Sequence, residues 1–152
     1  DFAGMLEGHD AVWAIEHPNW LSVINILATL EGENGSGNIL LALRKRMATK
    51  LLGETNLFPK MFYRRKSKFG YSFWMKVHQT EISIEDYIKQ VNIPSQDDNN
   101  LTEEDVKAWI GKIYNSKLPH NHEASWEILV SKRTILTRDN RNVYPVRVSL
   151  YI

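Results

Sequence analysis

Residues 101–130 constrain the fold of this chain more than any other stretch, because a well-marked helix start is followed closely by an apolar strand pattern. Thr102 is a good helix N-cap, and Asp105 stands three residues later, where a capping box places its acidic partner. Four apolar residues then recur at helical spacing and predict one buried helix face. They are Val106, Trp109, Ile110 and Ile113.

The helix is predicted to end at Leu118, because Pro119 disfavours the α conformation in the residue before it. A polar loop follows, and residues 126–130 then form an apolar run that predicts a buried strand. The other segments are placed around this helix, loop and strand.

The first third of the chain alternates between helix and strand patterns. Residues 10–17 predict a short helix, and residues 21–30 predict a central strand, with a buried helix as the alternative. Asn38 is the predicted cap of a helix over residues 39–52, and Gly53 is its predicted stop.

Strand patterns dominate most of the remaining chain. Residues 60–66 and 71–77 predict a hairpin, and residues 83–91 fit either a helix turn or a strand. Residues 132–141 predict a charged hairpin-like connection, and residues 143–152 predict a last strand.

The length of 152 residues fits one domain, and no linker-like break interrupts the alternation of strands and helices. The sequence therefore predicts a single α/β (α+β) domain over residues 1–152, with a mixed sheet flanked by helices. The absence of cysteine excludes a disulfide scaffold and thiolate chemistry, and no apolar run approaches the roughly 18 residues that span a bilayer. The chain begins with Asp1 and not with Met, so we expect a trimmed or processed chain.

Two polar clusters are candidate metal or catalytic sites. Residues 120–123 (His-Asn-His-Glu) carry donors that zinc accepts, but the spacing offers no third-ligand pattern, so a solvated loop is favoured. Asp10 lies between His9 and His17, but an aspartate at a helix start usually acts as a cap. We therefore predict no metal and no other cofactor.

Residues 58–74 interleave aromatic rings with lysine and arginine. This pattern suits single-stranded nucleic acid or a membrane surface, and it is also what an amphipathic hairpin shows. The net charge of +1 argues against nucleic acid, so peripheral membrane contact is the favoured functional alternative. The residues predicted to contact a lipid or a partner are Phe62, Tyr63, Phe73, Trp74, Trp126 and Tyr144.

Short motifs spread over nearly the whole chain resemble one family. They are HDAVWAIE at residues 9–16, IEDYIKQV at residues 84–91, the helix end at residues 110–118, and WEI at residues 126–128. Their order resembles the N-terminal lobe of the wax ester synthase/diacylglycerol acyltransferase family, within the chloramphenicol-acetyltransferase-like (condensation-domain) fold. The family has Pro-Leu before the Trp-Glu pair, where this chain has Ala124-Ser125.

The resemblance implies transfer of a fatty acyl group from acyl-CoA to a long-chain alcohol or diacylglycerol. The family's signature, His-His-x-x-x-Asp-Gly, follows a strand like residues 143–148, and its second histidine takes the proton of the acceptor hydroxyl. Tyr151-Ile152 stand where that pair should begin. No catalytic role therefore transfers to the histidines of this chain. They are His9, His17, His78, His120 and His122.

Two functional hypotheses follow. In the first, the chain is the N-terminal part of such an O-acyltransferase, incomplete alone and paired with a second polypeptide or C-terminal lobe, with acyl-CoA or a hydrophobic small molecule as ligand. The resemblance then implies the endoplasmic reticulum or the lipid-droplet surface, or secretion if the chain is processed. In the second, it is a non-enzymatic binding module for a lipid, a hydrophobic pigment or a partner protein. A missing lobe predicts an exposed apolar surface where that lobe would pack.

Overall fold

The computed structural model describes residues 1–8, 23–32, 36–53, 58–95, 101–114 and 125–151. The strands in these residues are β1 (Phe2–Met5), β2 (Val23–Glu31), β3 (Arg64–Lys68), β4 (Tyr71–Met75), β5 (Ile88–Val91), β6 (Trp126–Ser131), β7 (Ile135–Leu136) and β8 (Asn142–Tyr151). The α-helices in these residues are α1 (Ser36–Leu51), α2 (Ile84–Tyr87) and α3 (Glu103–Ile113). Two 3-10 turns lie at Pro59–Phe62 and Gln79–Glu81.

The strands form two sheets. The larger sheet has the order β2-β8-β6-β5, and β7 also pairs with β8. Its pairs are antiparallel except for β5 and β6, which are parallel. The smaller sheet has the antiparallel order β1-β4-β3. The predicted α+β class with a mixed sheet is confirmed.

The larger sheet buries apolar side chains on both faces, because successive strand residues point to opposite sides. On one face, Trp126, Ile128 and Val130 of β6 pack in a core that includes α1 and α2 residues. On the other face, Val106 and Trp109 of α3 belong to a second core. Helices therefore cover both faces of this sheet.

Helix α3 confirms the helix start and the capping box predicted at Thr102 and Asp105. The Thr102 hydroxyl accepts a hydrogen bond from the backbone N–H of Asp105, and the Asp105 carboxylate accepts one from the backbone N–H of Thr102. The helix ends at Ile113, and the predicted end at Leu118 lies outside the described residues. Strand β6 confirms the predicted buried strand.

Strand β2 corrects one prediction. Its apolar residues predict a central strand, but it lies at one edge of the described sheet. Its side chains are exposed on both faces, since Ile26 is 55% exposed and its neighbour Leu27 is 52% exposed. Apolar composition predicts burial, and within the described residues that burial is incomplete.

Helix α1 corrects another prediction, because it begins at Ser36 and encloses Asn38 instead of being capped by it. Serine, glycine and asparagine serve in a cap or in a first turn, so their sequence leaves the start open. Leu40 and Leu51 of this helix are buried. Gly53 follows the helix as predicted, where an added Cβ would lie 2.4 Å from the Thr49 carbonyl oxygen.

The predicted hairpin forms with a shifted first strand. The chain turns in a 3-10 turn at Pro59–Phe62, so β3 begins only at Arg64. The ambiguous residues 83–91 contain both alternatives, since one helical turn, α2, leads directly into β5.

The structure of residues 132–151 agrees closely with the prediction from the sequence. Strand β7 and β8 pair across a connection in which Asn140 has a φ of +58°, as expected at a turn tip. The predicted helix at residues 10–17 lies outside the described residues. No described helix is both long and apolar enough to cross a membrane.

Candidate functional site

Three aromatic side chains meet on the α1 side of the larger sheet and are called here the aromatic cluster: Phe62, Tyr87 and Trp126. The Phe62 ring lies 5.3 Å from Tyr87 and 6.1 Å from Trp126, in edge-to-face arrangements. The Tyr87 and Trp126 rings lie 4.8 Å apart. Such pairs add attraction to their burial, so the cluster joins the 3-10 turn, α2 and β6 firmly.

A pair of hydrogen bonds fixes the same junction. The Trp126 indole N–H donates to the Met61 carbonyl at 3.1 Å, and the Ser125 hydroxyl donates to the same oxygen at 2.9 Å. Tyr144 of β8 belongs to the same core and is 7% exposed. Phe62, Trp126 and Tyr144 are therefore core residues in this structure.

The other three residues predicted to contact a lipid or partner lie at the smaller sheet. Tyr63 precedes β3, and Phe73 and Trp74 lie on β4; all three side chains are half-buried. The Phe73 ring lies 6.0 Å from Phe2. The buried indole nitrogen of Trp74 has no hydrogen-bond partner among the described residues. The six residues thus form two separate groups, one in the core and one on the hairpin.

A polar cluster on the α3 side of the larger sheet, with three buried members, was not predicted. Its members are Asn25, Lys89, Glu127, Arg147 and Ser149. Cross-strand register brings them together, since Ser149 of β8 pairs with Asn25 on one side and with Glu127 on the other. Glu127 is 6% exposed, Arg147 4% and Ser149 1%.

Arg147 connects three elements of the fold. Its Nε donates to the Asn25 side-chain oxygen at 2.9 Å, and its Nη2 donates to the Ile113 carbonyl at 3.2 Å. The Asn25 amide in turn donates to the Tyr114 carbonyl at 3.3 Å. A cation at the C-terminal end of α3 also suits the helix dipole. Arg147 therefore holds β8, β2 and α3 together.

Glu127 balances this charge within the cluster. Its carboxylate lies 3.7 Å from the Lys89 ammonium, and Arg147 attracts it electrostatically. Burial nevertheless raises the pKa of Glu127 above its ordinary value of 4.5, against the effect of both cations. Desolvation therefore outweighs the attraction of its partners.

This raised pKa gives a pH-dependent prediction. A carboxyl group whose pKa is raised in the folded state stabilises the fold fully below its ordinary pKa, and this contribution is lost as pH rises through the raised value. The free energy of unfolding of the wild type minus that of Glu127→Gln should therefore fall as the pH rises above 4.5, the ordinary pKa of the carboxyl group. Urea unfolding of both proteins measures this difference, and a difference that stays flat or rises would contradict the assignment.

The sequence carried a signal for this cluster. Arg147 and Ser149 interrupt an apolar strand at alternate positions, and Glu127 stands inside an otherwise apolar run. A charged residue inside a strand that is buried on both faces requires a partner. The partners come from strands far apart in sequence, and only the sheet order reveals them.

Comparison with solved structures finds a similar fold in parts of two larger proteins. A wax ester synthase/diacylglycerol acyltransferase from Marinobacter aquaeolei VT8 matches 92% of this chain with a TM-score of 0.57 and 11% sequence identity. A condensation domain that mediates chain release from the enacyloxin polyketide synthase matches 89% of it with a TM-score of 0.53 and 14% identity. No protein-family model matches the sequence, and no curated protein matches it significantly.

The described chain shares the chloramphenicol-acetyltransferase-like fold. It spans 30% of the first of these proteins and 23% of the second. This chain therefore corresponds to less than a third of the length of either protein.

Within this acyltransferase-like fold, the described residues hold no nucleophile paired with a base. Ser149 is buried, and its hydroxyl donates to the Asn25 oxygen at 2.9 Å. His78 is exposed and lies 3.7 Å from the Asp1 carboxylate. The candidate clusters at residues 9–17 and 120–123 lie outside the described residues, and in the remainder no group of three metal-ligating side chains occurs.

An open groove of about 890 Å³ runs between the start of α3 and the β6–β7 connection. Tyr144 borders it, so this predicted contact residue also reaches the edge of the core. Glu103, Glu104 and Lys132 line its walls. A groove lined with charges of both signs is a poor site for an acyl chain, because each charge would lose water on contact with it.

Proposed function

We propose that this chain is the N-terminal part of an O-acyltransferase that resembles wax ester synthase/diacylglycerol acyltransferase. In the intact protein, a fatty acyl group would pass from acyl-CoA to a long-chain alcohol or diacylglycerol. This part would supply the wall of the acyl site and would be inactive alone. A second chain or lobe would supply the histidine that acts as base.

The exposed apolar residues of β2 are the main support for the proposal that a further lobe packs against this strand. Ile24 and Ile26 are 43% and 55% exposed on one face, and Leu27 is 52% exposed on the other. Leu150, the cross-strand partner of Ile24, is 37% exposed. Exposed apolar side chains that lie together on one face, as those of Ile24, Ile26 and Leu150 do, are typical of an interaction surface. These exposed residues support the proposal that a further lobe packs against this strand.

The position of the β8 end supports the catalytic part of the proposal. Tyr151 pairs with Val23, and Leu150 pairs with Trp126, so β8 ends between two strands and not at a free edge. Arg147 and Ser149 are bonded to Asn25 just before that end. A histidine motif following this strand would therefore start from a rigid position in the middle of the sheet.

The test compares this chain with a longer product of the same gene, or with a co-purified chain, that carries His-His-x-x-x-Asp-Gly. Acyl-CoA with a long-chain alcohol should give no ester with this chain alone and should give ester with the complete protein. Replacing the second motif histidine with alanine should lower kcat about 100-fold to 10,000-fold. His78→Ala is the matched control and should leave kcat unchanged, since His78 is an exposed side chain paired with Asp1.

Ester formation by this chain alone would contradict the proposal, as would an unaffected kcat in the motif variant. Native mass spectrometry distinguishes the acyltransferase from the alternative function, a non-enzymatic binding module. A retained hydrophobic molecule, without a second polypeptide and without turnover, would favour the non-enzymatic binding module.

A further inference from the structure

The hairpin of β3 and β4 projects an aromatic side chain into solvent at its tip. Phe69 is 86% exposed, and every residue from 66 to 71 is exposed. The two central turn residues both have positive φ, +54° at Phe69 and +80° at Gly70. This is the backbone of a type I′ turn.

Phenylalanine does not favour the stability of the turn at this position. Type I′ turns favour asparagine, aspartate or glycine at the first central residue, because other side chains are strained at positive φ. Phe69 also gains little burial in return, since nearly all of its surface remains in water. Its presence therefore suggests a role outside the stability of the fold.

One face of the smaller sheet continues the apolar surface of the tip. Cross-strand register places Phe2 beside Met75, Met5 beside Phe73, and Tyr71 beside Lys68. Phe2, Met5 and Tyr71 are 63%, 45% and 65% exposed. Together with Phe69, these side chains form an exposed apolar face, called here the hairpin face.

The charges on β3 and β4 of the hairpin face have one sign. Residues 58–77 contain six lysine and arginine residues and no aspartate or glutamate. Lys66 and Lys68 lie on the hairpin face by register, and the Lys68 ammonium sits 5.1 Å from the centre of the Phe69 ring. Asp1 and Glu7 flank β1, so the positive charge is concentrated toward β3 and the tip.

We propose that the hairpin face docks on the surface of an anionic lipid bilayer, with Phe69 inserted below the headgroups. Apolar and aromatic side chains that enter the interface, next to lysines that meet anionic headgroups, are the features of a peripheral membrane contact. The proposal does not depend on the proposed function, because it uses no residue of the polar cluster and requires no turnover.

Lipid fits the hairpin face better than single-stranded nucleic acid does. A nucleic-acid surface uses aromatic rings as flat platforms along a positively charged groove. Here the most exposed ring stands at a turn tip, and the rest of the face includes the aliphatic side chain of Met5. The net charge of the whole chain is only +1, which gives little attraction to a polyanion beyond the hairpin.

Sedimentation with vesicles tests the proposal on the 152-residue chain. Vesicles of phosphatidylcholine with about 30% phosphatidylglycerol should bind the wild type, and pure phosphatidylcholine vesicles should bind it much less. Phe69→Asn should weaken binding about tenfold, because one large apolar side chain is lost. The same substitution should keep or raise the midpoint of thermal unfolding, since asparagine suits the turn. Leu136→Asn is the matched control, since Leu136 is an exposed apolar residue outside the hairpin, at 59%.

A second pair of variants tests the charges. Lys66→Glu with Lys68→Glu should weaken binding by more than about 20-fold, and salt raised from about 50 mM to about 500 mM should weaken wild-type binding. Lys45→Glu with Arg46→Glu makes the same change in net charge on exposed positions of α1 and should have a much smaller effect.

Equal losses in the hairpin and control variants would overturn the proposal, because binding would then be non-specific. Binding to neutral and anionic vesicles with the same affinity would overturn it as well. So would binding of a single-stranded oligonucleotide through the hairpin lysines without binding to anionic vesicles.

Discussion

Replacing Trp126 with alanine is expected to lower the free energy of unfolding by about 3–5 kcal/mol. Trp126 is 1% exposed and packs against Phe62 and Tyr87. The substitution leaves a large cavity where the 3-10 turn, α2 and β6 meet, and it removes the indole donor from the Met61 carbonyl. Urea unfolding followed by circular dichroism measures the change.

One further variant separates packing from hydrogen bonding at Trp126, and a second, at an exposed residue, serves as a control. Trp126→Phe keeps most of the apolar contact but loses the indole N–H, so it should cost about 1–2 kcal/mol. Leu41→Ala removes a side chain that is 63% exposed and should change stability by less than about 0.5 kcal/mol. If Trp126→Ala costs no more than Leu41→Ala, the aromatic cluster does not hold the core together.

Replacing Arg147 with methionine is expected to cost about 3–5 kcal/mol, because it leaves Glu127 buried with a weaker set of partners. The substitution also removes the donors to Asn25 and to the Ile113 carbonyl. Arg147→Lys keeps a charge without the planar donor group, so it should cost less and should still fold. The free energy of unfolding is again the measurement.

A double variant shows whether the cost arises from the lost partner or from the lost packing. Glu127→Leu with Arg147→Met replaces the opposite charges with apolar side chains, which is often neutral in buried pairs. Lys89 tolerates this change because its side chain is 42% exposed and can reach water. We expect the double variant to recover at least about half of the stability lost in Arg147→Met. Costs that simply add would show that the two charges are not coupled.

Much of the fold could be predicted from local patterns. The capping box of α3 fixes its start because Thr102 and Asp105 bond reciprocally within four residues. The same holds for the alternating pattern of β8 and for the turn at Asn140. The cap and the turn depend on contacts within a few positions of one another, and the apolar run of β8 predicts a strand without identifying its partners.

The misplaced elements depend on contacts that local patterns do not encode. An apolar run such as β2 predicts burial, but the order of strands in a sheet is set by partners far away in sequence, and β2 lies at the edge of the described strands. The start of α1 was missed because Ser36, Gly37 and Asn38 fit a cap and a first turn equally well.

For the candidate site, too, local patterns predicted some residues and missed others. The aromatic content of residues 58–74 predicted contact roles for Phe62 and the hairpin residues, but it could not tell that Phe62, in the turn at Pro59–Phe62, would be buried. The polar cluster was missed because Asn25, Glu127 and Arg147 come from three separate strands. Arg147 and Asn25, which share a hydrogen bond, are 122 positions apart.

That separation has a consequence for synthesis in the cell. Strand β2 pairs along its length with β8, so its partner leaves the ribosome long after β2 does. At about 5–20 residues per second, the delay over 122 positions is on the order of ten seconds. During that time the apolar residues of β2 lack their partners on β8, so the native pairing of this strand can form only after nearly the whole chain has been made.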